Sequence, residues 1–296
     1  MSGPISVTEA FLRTMPLPRH QEGEDKDERG RVLAIAGSVE VPGGALLAGL
    51  AALRAGAGKV RIATCRSVAI PMAIAMPEAR VIGLEETPRG GIAPTEAEGL
   101  ARRVAEVDAV VVGPGMVDAE AAKALSTDLL RRTAGSEVPV VLDAAALRGL
   151  DDREAARGHA GRLIVTPHAG EMATLLGASR EEVLADRLGA AQRAAAALQA
   201  VVVMKGGGSY IVSPDGRAWF CSQGNIGLAT SGSGDTLAGV ITGLLARGAP
   251  PLDATIWGVF LHAEAGDRLA RRQGLLGFLA RELLAEVPLI MAELAS

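Results

Sequence analysis

The chain has 296 residues, of which 49% are hydrophobic, 2% aromatic and 22% charged, and its formal net charge is -4. This composition disfavours polynucleotide binding, which needs a basic surface and aromatic stacking platforms. The longest apolar stretch, residues 41–53, is too short to span a membrane, which takes about 20 residues. Cys65 and Cys221 are too few for a disulfide framework, and the first thirty residues carry no apolar secretory segment, so we expect a cytoplasmic protein.

The chain begins with a lead-in, residues 1–30, in which a short helix is predicted at Val7–Thr14 before a charged, proline-broken stretch. From Arg31 onward, short β-rich runs alternate with longer segments whose apolar residues recur at helical spacing. The predicted strands are Val32–Ala36, Lys59–Thr64, Asp108–Val112, Val138–Leu142, Leu163–Val165 and Val201–Met204. The predicted helices are Ala45–Ala55, Ala119–Arg132, Arg180–Gln199, Thr236–Arg247 and Asp253–Arg271.

Strands that are apolar throughout and separated by helices are typical of a parallel sheet that is buried on both faces. Two later strands, Ser209–Val212 and Arg217–Cys221, flank a Ser-Pro-Asp-Gly turn and predict a hairpin at an edge of the sheet. There is no low-complexity linker and no fixed-period repeat. The sequence therefore predicts one doubly wound domain over residues 1–296, with three α/β/α layers and a mainly parallel central sheet.

A glycine-rich segment, residues 224–235, directly precedes the predicted helix at Thr236. Its small residues allow several backbone N–H groups to point into one concavity, and the helix start adds the positive end of its dipole. The segment therefore predicts an anion-binding loop. Asp235, at the junction with the helix, is interpreted either as an N-cap or as a general base beside a phosphate, and the many glycines upstream favour the base.

A second glycine cluster, Lys205–Ser209, follows the last of the parallel strands. The carboxyl ends of strands are where open α/β sheets bind ligands. Lys205 is one of only four lysines and would place an ammonium group beside phosphate oxygens. A flexible hairpin connector is the alternative interpretation of this cluster.

Unusual groups follow three other predicted strands: Gly113-Pro114-Gly115, Asp143, and the Thr-Pro-His-Ala-Gly-Glu run at residues 166–171. Taken singly, His168 is typical of a loop histidine and Glu171 of an acid in the first turn of a helix. All of these groups would lie on one rim of a parallel sheet together with both glycine clusters. This shared position predicts a ligand site.

Several other site types are disfavoured. The chain has neither the P-loop motif nor the dinucleotide-binding G-x-G-x-x-G motif after its first strand. His20, His159 and His262 have no companions at the spacing of a metal triad, and no nucleophile elbow is present. The residues alone therefore favour phosphoryl chemistry on a small molecule.

At this point the motifs resemble a known family, the ADP-dependent NAD(P)H-hydrate dehydratases of the ribokinase-like superfamily. The most specific blocks are GNIGLATSGSGDTLAG at residues 224–239 and TPHAGE at residues 166–171. They are accompanied by VLAIAGS at 32–38, GGALLAGLAALRAGAGKV at 43–60, VGPG at 112–115, VLDA at 141–144 and VMKGGG at 203–208. The resemblance runs from about residue 30 to beyond residue 245 and implies a ribokinase-like three-layer fold.

The resemblance implies repair of hydrated NADH and NADPH: ADP phosphorylates the C6 hydroxyl of the S-epimer, and phosphate then leaves, regenerating the reduced cofactor with release of AMP and phosphate. It implies that Asp235 is the catalytic base. The residues expected to contact the hydrated dinucleotide are Ala45, Gly113, Gly115, His168 and Asp235. Those expected to hold the nucleotide, ADP or else ATP, are Lys205, Gly206, Gly207, Gly208, Ser209, Asn225, Gly232, Ser233 and Gly234.

The same resemblance implies that Glu171 organises Mg²⁺ indirectly, that a separate epimerase is the functional partner, and that the chain forms a homotetramer. The chain departs from the family pattern at Asp25, Asp27 and Ala145. The departures at Asp25 and Asp27 affect the substrate contacts expected at the entrance of the site. The departure at Ala145 affects the metal-binding role expected of the loop after Asp143. Two other functions compete: a kinase of a vitamin-precursor alcohol of the hydroxymethylpyrimidine or thiazole type, and a nucleotide-binding protein without turnover.

Overall fold

The computed structural model describes residues 3–19, 23 and 25–295. His20, which the sequence analysis set aside as a metal ligand, lies outside them. The strands of the described chain are Ile5–Ser6 (β1), Arg31–Ile35 (β2), Lys59–Cys65 (β3), Ala79–Leu84 (β4), Ala109–Val112 (β5), Val140–Leu142 (β6), Leu163–Val165 (β7), Val201–Met204 (β8), Ser209–Val212 (β9) and Ala218–Cys221 (β10).

The helices in the same residues are Glu9–Leu12 (α1), Gly43–Arg54 (α2), Arg66–Ala75 (α3), Ala97–Val104 (α4), Ala119–Arg132 (α5), Arg153–Arg157 (α6), Ala169–Leu176 (α7), Arg180–Ala185 (α8), Arg187–Leu198 (α9), Ser233–Ala246 (α10), Pro251–Gln273 (α11) and Ala280–Ala295 (α12). Short 3₁₀ helices span Pro94–Glu96, Ala144–Asp151 and Ile226–Leu228. None of the described helices is long and apolar enough to cross a membrane.

All the described strands join one sheet in the order β1-β10-β9-β8-β7-β6-β5-β2-β3-β4. From β4 across to β8 every neighbouring pair is parallel, whereas β9 runs antiparallel to both β8 and β10. The strand order reverses between β2 and β5, which makes a topological switch point. Since ligands of open α/β sheets bind outside the carboxyl ends of the strands near such a point, this edge of the sheet is where a site is expected.

Helices cover both faces of the sheet because its strands are apolar on both sides. Val32 and Ala34 of β2 belong to a buried cluster shared with α2, α10, α11 and α12, and Leu33 and Ile35 belong to a second cluster with α4, α5, α7 and α9. The predicted three-layer architecture with a late hairpin is therefore confirmed, and the core is aliphatic, as the composition requires.

Helices α2 and α10 pack unusually closely, and small residues make this possible. A Cβ atom at Gly239 would overlap the backbone of Ala48, and one at Gly243 would overlap that of Ala52. Close approach of the two helices sets where α10 begins. Its first turn lies over the carboxyl ends of β5 and β6.

The lead-in takes part in the fold, which the sequence analysis started at Arg31. Ile5 and Ser6 pair with Trp219 and Phe220 in parallel, so β1 covers the hairpin and forms the outermost strand. The helix there is α1, shorter than the predicted Val7–Thr14, and Leu12 at its end is fully buried. A two-residue strand has no periodicity to detect, so its place depends on tertiary packing.

The single helix predicted over Arg180–Gln199 is wrong, because Asp186 divides it into α8 and α9. The backbone of Asp186 leaves the helical region (φ -142°, ψ 73°), and its carboxylate accepts a hydrogen bond from the N–H of Gly189 at 2.9 Å. Aspartate side chains compete in this way for backbone donors and so favour caps over helix interiors. The new helix start directs Arg187 toward the β8–β9 loop.

Candidate functional site

The loops after β2 and β5 meet at the switch point through their backbones. The N–H of Gly37 donates to the carbonyl oxygen of Pro114 at 2.7 Å. Gly115 has a left-handed backbone (φ +68°), and a Cβ atom there would lie 2.6 Å from the carbonyl oxygen of Val41. Only glycine fits such a position, and it leaves the Gly115 backbone open to a neighbouring side chain.

That neighbour is Asp235, the third residue of α10. The helix has Gly232 as its N-cap, with φ +87°, and within the described chain no side chain caps it. Asp235 is therefore not an N-cap; instead, its carboxylate lies near the backbone N–H of Gly115, which lowers its pKa. The structure thus removes the capping interpretation of this residue.

The surroundings of Asp235 make its carboxyl group a weaker acid than usual. Burial is the main cause that raises its pKa, and the nearby carboxylate of Asp143 also raises it, while the Gly115 N–H and the Lys205 ammonium lower it; the resulting pKa is about 6. A general base works best when its pKa lies near the working pH. The arrangement is suited to accepting a proton from a bound hydroxyl group.

Beneath α10, the carboxyl ends of β6, β7 and β8 contribute one charged cluster. The Lys205 ammonium lies 2.9 Å from Asp143 Oδ1 and 3.9 Å from Glu171 Oε2. The hydroxyl of Thr166 donates to Asp143 Oδ1 at 2.6 Å. A Cβ atom at Gly234 would lie 3.4 Å from Lys205 Nζ, which places the helix start directly above this cluster.

The loop after β8 is held by Arg187. Its guanidinium group donates to the carbonyl oxygens of Met204 and Gly208 and lies 5.4 Å from the centre of the Tyr210 ring. A Cβ atom at Gly206 would overlap this guanidinium group. At Gly208, with φ +83°, a Cβ atom would lie 2.6 Å from the Phe220 ring. Glycine is therefore required at Gly208, whereas a side chain at Gly206 would displace the Arg187 guanidinium group from the loop.

His168 and Glu171 close the other side of the site through a capping box at the start of α7. The N–H groups of Gly170 and Glu171 donate to His168 Nδ1 at 3.0 and 3.2 Å, and the His168 N–H donates to the Glu171 carboxylate at 2.8 Å. The imidazole side chain is 60% exposed. A cavity of about 350 Å³ opens beside it, lined also by Ala144, Ala145 and Arg148. Nδ1 is thus engaged in the cap, while the exposed ring lines the cavity.

With this geometry in place, comparison with known proteins decides the family. The model of the family described as NAD(P)H-hydrate dehydratase matches residues 32–289. The chain belongs to this family. It is 47% identical over 298 residues to the ADP-dependent (S)-NAD(P)H-hydrate dehydratase of Xanthomonas campestris pv. campestris, with 99% of each chain covered.

Two further relatives of this dehydratase family bear on the fold and the length. The chain is 40% identical to a bifunctional NAD(P)H-hydrate repair enzyme of Moorella thermoacetica, covering 97% of this chain and 54% of that protein. It matches the crystal structure of the ADP/ATP-dependent NAD(P)H-hydrate dehydratase from Bacillus subtilis, co-crystallized with ATP/Mg²⁺, with a TM-score of 0.81, 30% identity and 99% coverage of both chains. The resemblance stated from the motifs and the ribokinase-like fold are both confirmed.

Most residues predicted for the dehydratase site lie on this one rim. Ala45 differs, because it is fully buried in α2, below Gly37, and its N–H donates to the carbonyl oxygen of Pro42. Gly113 is also buried, and a Cβ atom there would overlap the carbonyl oxygen of Asp143. Ala45 therefore supports the loop packing from below, and its contact with a substrate remains a prediction.

Sequence reasoning missed several residues that shape this site. Arg187 and Thr166 orient the Lys205 loop and Asp143, and His262 Nε2 lies 2.9 Å from the hydroxyl of Ser233. Burial lowers the pKa of His262 to about 4, which keeps the ring neutral near neutral pH. Asp267, in the same helix, binds Asn225. His262 and Asp267 both lie on α11, the second helix after the glycine-rich segment, so the sequence carries no local signal for these contacts.

Metal binding at this site depends on its acidic side chains. Among the described residues, no group of three or more His, Cys, Asp or Glu side chains is arranged to hold one. Glu171 offers a carboxylate at the edge of the charged cluster, and Mg²⁺ commonly binds through one or two carboxylates together with substrate phosphates. The residues fit an ion that arrives on a nucleotide, with Glu171 as the nearby acid.

Proposed function

We propose that this chain carries out the ADP-dependent dehydration of the S-epimer of hydrated NAD(P)H, which restores NAD(P)H and releases AMP and phosphate. The observation that carries the proposal is the position of Asp235, a half-buried carboxylate with a raised pKa, beside Lys205 and the start of α10. The membership of the chain in the NAD(P)H-hydrate dehydratase family supports hydrated NAD(P)H as the substrate.

In the proposed reaction, Asp235 accepts the proton of the hydroxyl on C6 of the hydrated nicotinamide ring. The oxygen then attacks the terminal phosphoryl group of ADP, and the bond to AMP breaks. Phosphate is a far better leaving group than hydroxide, so it departs from C6 with the help of the ring nitrogen lone pair. Loss of a proton from C5 completes the restored double bond of NAD(P)H.

The residues around Asp235 stabilise the transferring phosphoryl group. The Lys205 ammonium and the backbone N–H groups of Gly232 and Gly234 bring positive charge to the place where phosphate oxygens develop charge. The Ser233 N–H instead donates to the carbonyl oxygen of Thr230 at 3.2 Å. The loop Lys205–Ser209 and Asn225 would contact the nucleotide. Gly115 and His168 line the side on which the hydrated ring would bind.

Mg²⁺ is part of the proposal, since the Bacillus subtilis relative was co-crystallized with ATP/Mg²⁺. The ion would neutralise nucleotide phosphates, and Glu171 would organise it indirectly from the protein side. This role matters because three carboxylates, those of Asp143, Glu171 and Asp235, surround the single ammonium of Lys205. An anionic nucleotide needs further positive charge at such a site.

We further propose a single catalytic domain, a separate epimerase as functional partner, a homotetramer and a cytoplasmic location. The Moorella thermoacetica relative, 54% of which the chain covers, is a bifunctional repair enzyme, which supports a functional link between this activity and a second one. Two free, buried cysteines, Cys65 and Cys221, are consistent with a reducing compartment. Light scattering tests the assembly.

The decisive experiment incubates the protein with hydrated NADH, Mg²⁺ and either ADP or ATP, and follows the recovery of the absorbance of reduced nicotinamide. We expect recovery with at least one nucleotide and none with Asp235→Asn, because an amide does not accept the hydroxyl proton. ADP binding should survive that substitution. Absence of recovery with both nucleotides would reject the dehydratase, and a stable phosphorylated alcohol as product would favour the kinase.

A further inference from the structure

A cavity of about 480 Å³ lies between the lead-in and helices α11 and α12. Arg247, the residue after α10, is part of its wall. Asp235 is the third residue of α10, and a helix of 14 residues is about 20 Å long. The cavity is therefore separate from the candidate active site, and its volume is in the range that suits small-molecule ligands.

The charged side chains that line this cavity are all arginines: Arg13 and Arg19 from the lead-in, and Arg247 from the end of α10. Among the described residues of its wall there is no aspartate or glutamate. The whole chain carries 34 acidic and 30 basic side chains and a net charge of -4, so acids would be expected in an average stretch of its surface. The cavity is therefore a local basic site in an acidic protein.

Arg247 is held in the wall of the cavity without a carboxylate partner in the described chain. Its guanidinium group donates to the carbonyl oxygens of Pro18 at 3.0 Å and Ala55 at 3.4 Å, and its buried Nε has no hydrogen-bond partner among the same residues. Burial lowers the pKa of Arg247, since it disfavours the charged form. A guanidinium group has five N–H donors, so the two carbonyl oxygens leave donors for an anion.

The acids of a second cavity, of about 410 Å³, do not compensate the charge of Arg247, although Arg247 lines that cavity as well. Three of its four acids are paired with other basic residues, and the fourth accepts a backbone hydrogen bond. The pairs are Asp27 with Lys59, Asp108 with Arg31 and Glu137 with Arg162, and Glu28 accepts the N–H of Asp25. An unpaired buried cation is costly, and an anion in the first cavity would reduce that cost.

The rest of the wall is mainly aliphatic. Leu12 and Leu294 are almost fully buried, and Leu17 and Met291 are half-buried. The aromatic residue of the wall, Trp257, is only 3% exposed, and its indole N–H donates to a backbone carbonyl oxygen of the lead-in. A ring that is buried in this way offers no free face on which a base would stack. The wall therefore suits an aliphatic group rather than a nucleotide base.

We propose that this cavity is a binding site for a small amphipathic anion, a molecule with an aliphatic chain and a carboxylate or phosphate head group. The head group would bind Arg13, Arg19 and Arg247, and the chain would pack against Leu17 and Met291. Arginine suits this role because its planar guanidinium group forms paired hydrogen bonds with carboxylate and phosphate oxygens. Burial of the chain adds hydrophobic free energy that a bare inorganic anion lacks. The proposal does not depend on the proposed reaction.

The first test measures the binding of octanoate and octyl phosphate by calorimetry, with butyrate and octanol as probes that lack either the long chain or the charge. We expect saturable binding of at least one eight-carbon anion, and binding of butyrate and octanol that is at least about tenfold weaker. The tighter of the two anions identifies the head group. Equal affinity for octanol and octanoate, or no saturable binding of either anion, would overturn the proposal.

The second test locates the bound anion. The chain has 8 methionines, and ¹³C-methyl labelling gives each a signal, of which that of Met291 is assigned with Met291→Leu. We expect the eight-carbon anion that binds to shift the Met291 signal. The signal of Met172, which is fully buried in α7, should stay in place. Saturable binding that leaves the Met291 signal unchanged would place the anion elsewhere and contradict the proposed site.

The third test removes charge from the cavity without removing a buried group. Arg13 and Arg19 are both exposed, so the double variant Arg13→Gln/Arg19→Gln should fold, and we expect it to bind the anion at least about tenfold more weakly. Arg102→Gln/Arg103→Gln is the matched control, because it removes the same charge from α4, outside the cavity, and Arg102, like Arg13, pairs with a glutamate four residues earlier. An equal loss of affinity in both double variants would show a general effect of net charge and overturn the site.

Discussion

The carboxylate of Asp267, in α11, binds the side-chain amide of Asn225 at 2.8 Å across 42 residues of chain. Its other oxygen accepts the backbone N–H of Gly224 at 2.9 Å. The Asn225 side-chain oxygen in turn accepts the N–H of Gly227, which starts the short 3₁₀ helix there. A long helix that follows the glycine-rich segment thereby holds the beginning of that segment in place.

Asp267→Ala is therefore expected to weaken nucleotide binding more than it slows the chemical step. Each hydrogen bond to a charged group contributes about 1.5–3 kcal/mol, so we expect the KM for ADP to rise about 10- to 100-fold with a smaller change in kcat. Steady-state kinetics measure both. Glu264→Gln is the control, since Glu264 lies on the same helix but binds Arg268 and Arg271. A normal KM in Asp267→Ala, or an equal rise in the control, would contradict the anchoring role.

Gly234→Ala should separate folding from binding. The added methyl group would meet Lys205 Nζ at 3.4 Å and Asp143 Oδ2 at 3.5 Å, which are ordinary contacts, so the protein should fold. Alanine stabilises a helix by up to about 1 kcal/mol relative to glycine. The methyl group would, however, occupy the space expected for phosphate, and calorimetry should show a loss of ADP affinity of about tenfold or more.

The matched variant for this prediction is Gly99→Ala in α4. A Cβ atom there meets only the Glu96 carboxylate, at 3.9 Å, within the described residues. Both variants should have a melting temperature equal to or slightly above that of the unsubstituted protein. Only Gly234→Ala should bind ADP more weakly. Unchanged ADP binding in Gly234→Ala would place the phosphate elsewhere.

The features of the fold that sequence reasoning predicted are those with a local cause. The buried strands are apolar on both faces, and the glycine clusters follow them directly, so the rim could be predicted. Asp143 and Lys205 are 62 residues apart, yet each is the first residue after a parallel strand, which is why their shared edge was predictable. Their direct pairing was not, because it depends on how far apart β6 and β8 lie in the sheet.

Other features have no local cause. The edge strand β4 and helices α3, α4, α6 and α12 were not predicted, and β1 is too short to show a period. The bond between Asp267 and Asn225 depends on how α11 packs beside the glycine-rich segment. Arg187 could be placed only once Asp186 was known to start a new helix, since that start directs the guanidinium group to the β8–β9 loop.

Arg187→Lys tests whether that loop needs its anchor. A lysine keeps the charge but not the planar fork that contacts the carbonyl oxygens of Met204 and Gly208 and lies over Tyr210. We expect the KM for ADP to rise about 5- to 30-fold, because the loop loses one or two hydrogen bonds that contribute roughly 1 kcal/mol each. Arg193→Lys is the control on the same helix, where the side chain is 57% exposed and lies 3.8 Å from Asp186. Equal effects of the two substitutions would argue against a specific role for Arg187.

The ionised carboxylate of Asp235 should lower the stability of the folded protein above pH 6, where the group acts as a base. Because burial raises its pKa to about 6 in the folded state, the folded protein binds the proton more tightly than the unfolded chain does. This contribution to stability is fully present below about pH 4 and is lost as the pH rises through 6. Two pKa units correspond to about 3 kcal/mol, an upper bound here because the group is partly solvated.

Asp235→Asn, which has no charge to bury, should accordingly be more stable than the unsubstituted protein at pH 8, and the difference should shrink toward pH 5. Thermal unfolding of both proteins across this range measures it. Asp128→Asn, a surface substitution that removes a partner of Arg132, should change stability by less than about 1 kcal/mol at every pH. Asp235→Asn could instead differ in stability from the unsubstituted protein by the same small amount at every pH. Burial of the Asp235 charge would then not destabilise the fold, and a raised pKa would not explain its suitability as a base. A stability gain that grows between about pH 4 and pH 6 and stays constant at higher pH, together with loss of turnover, would tie that cost to catalysis.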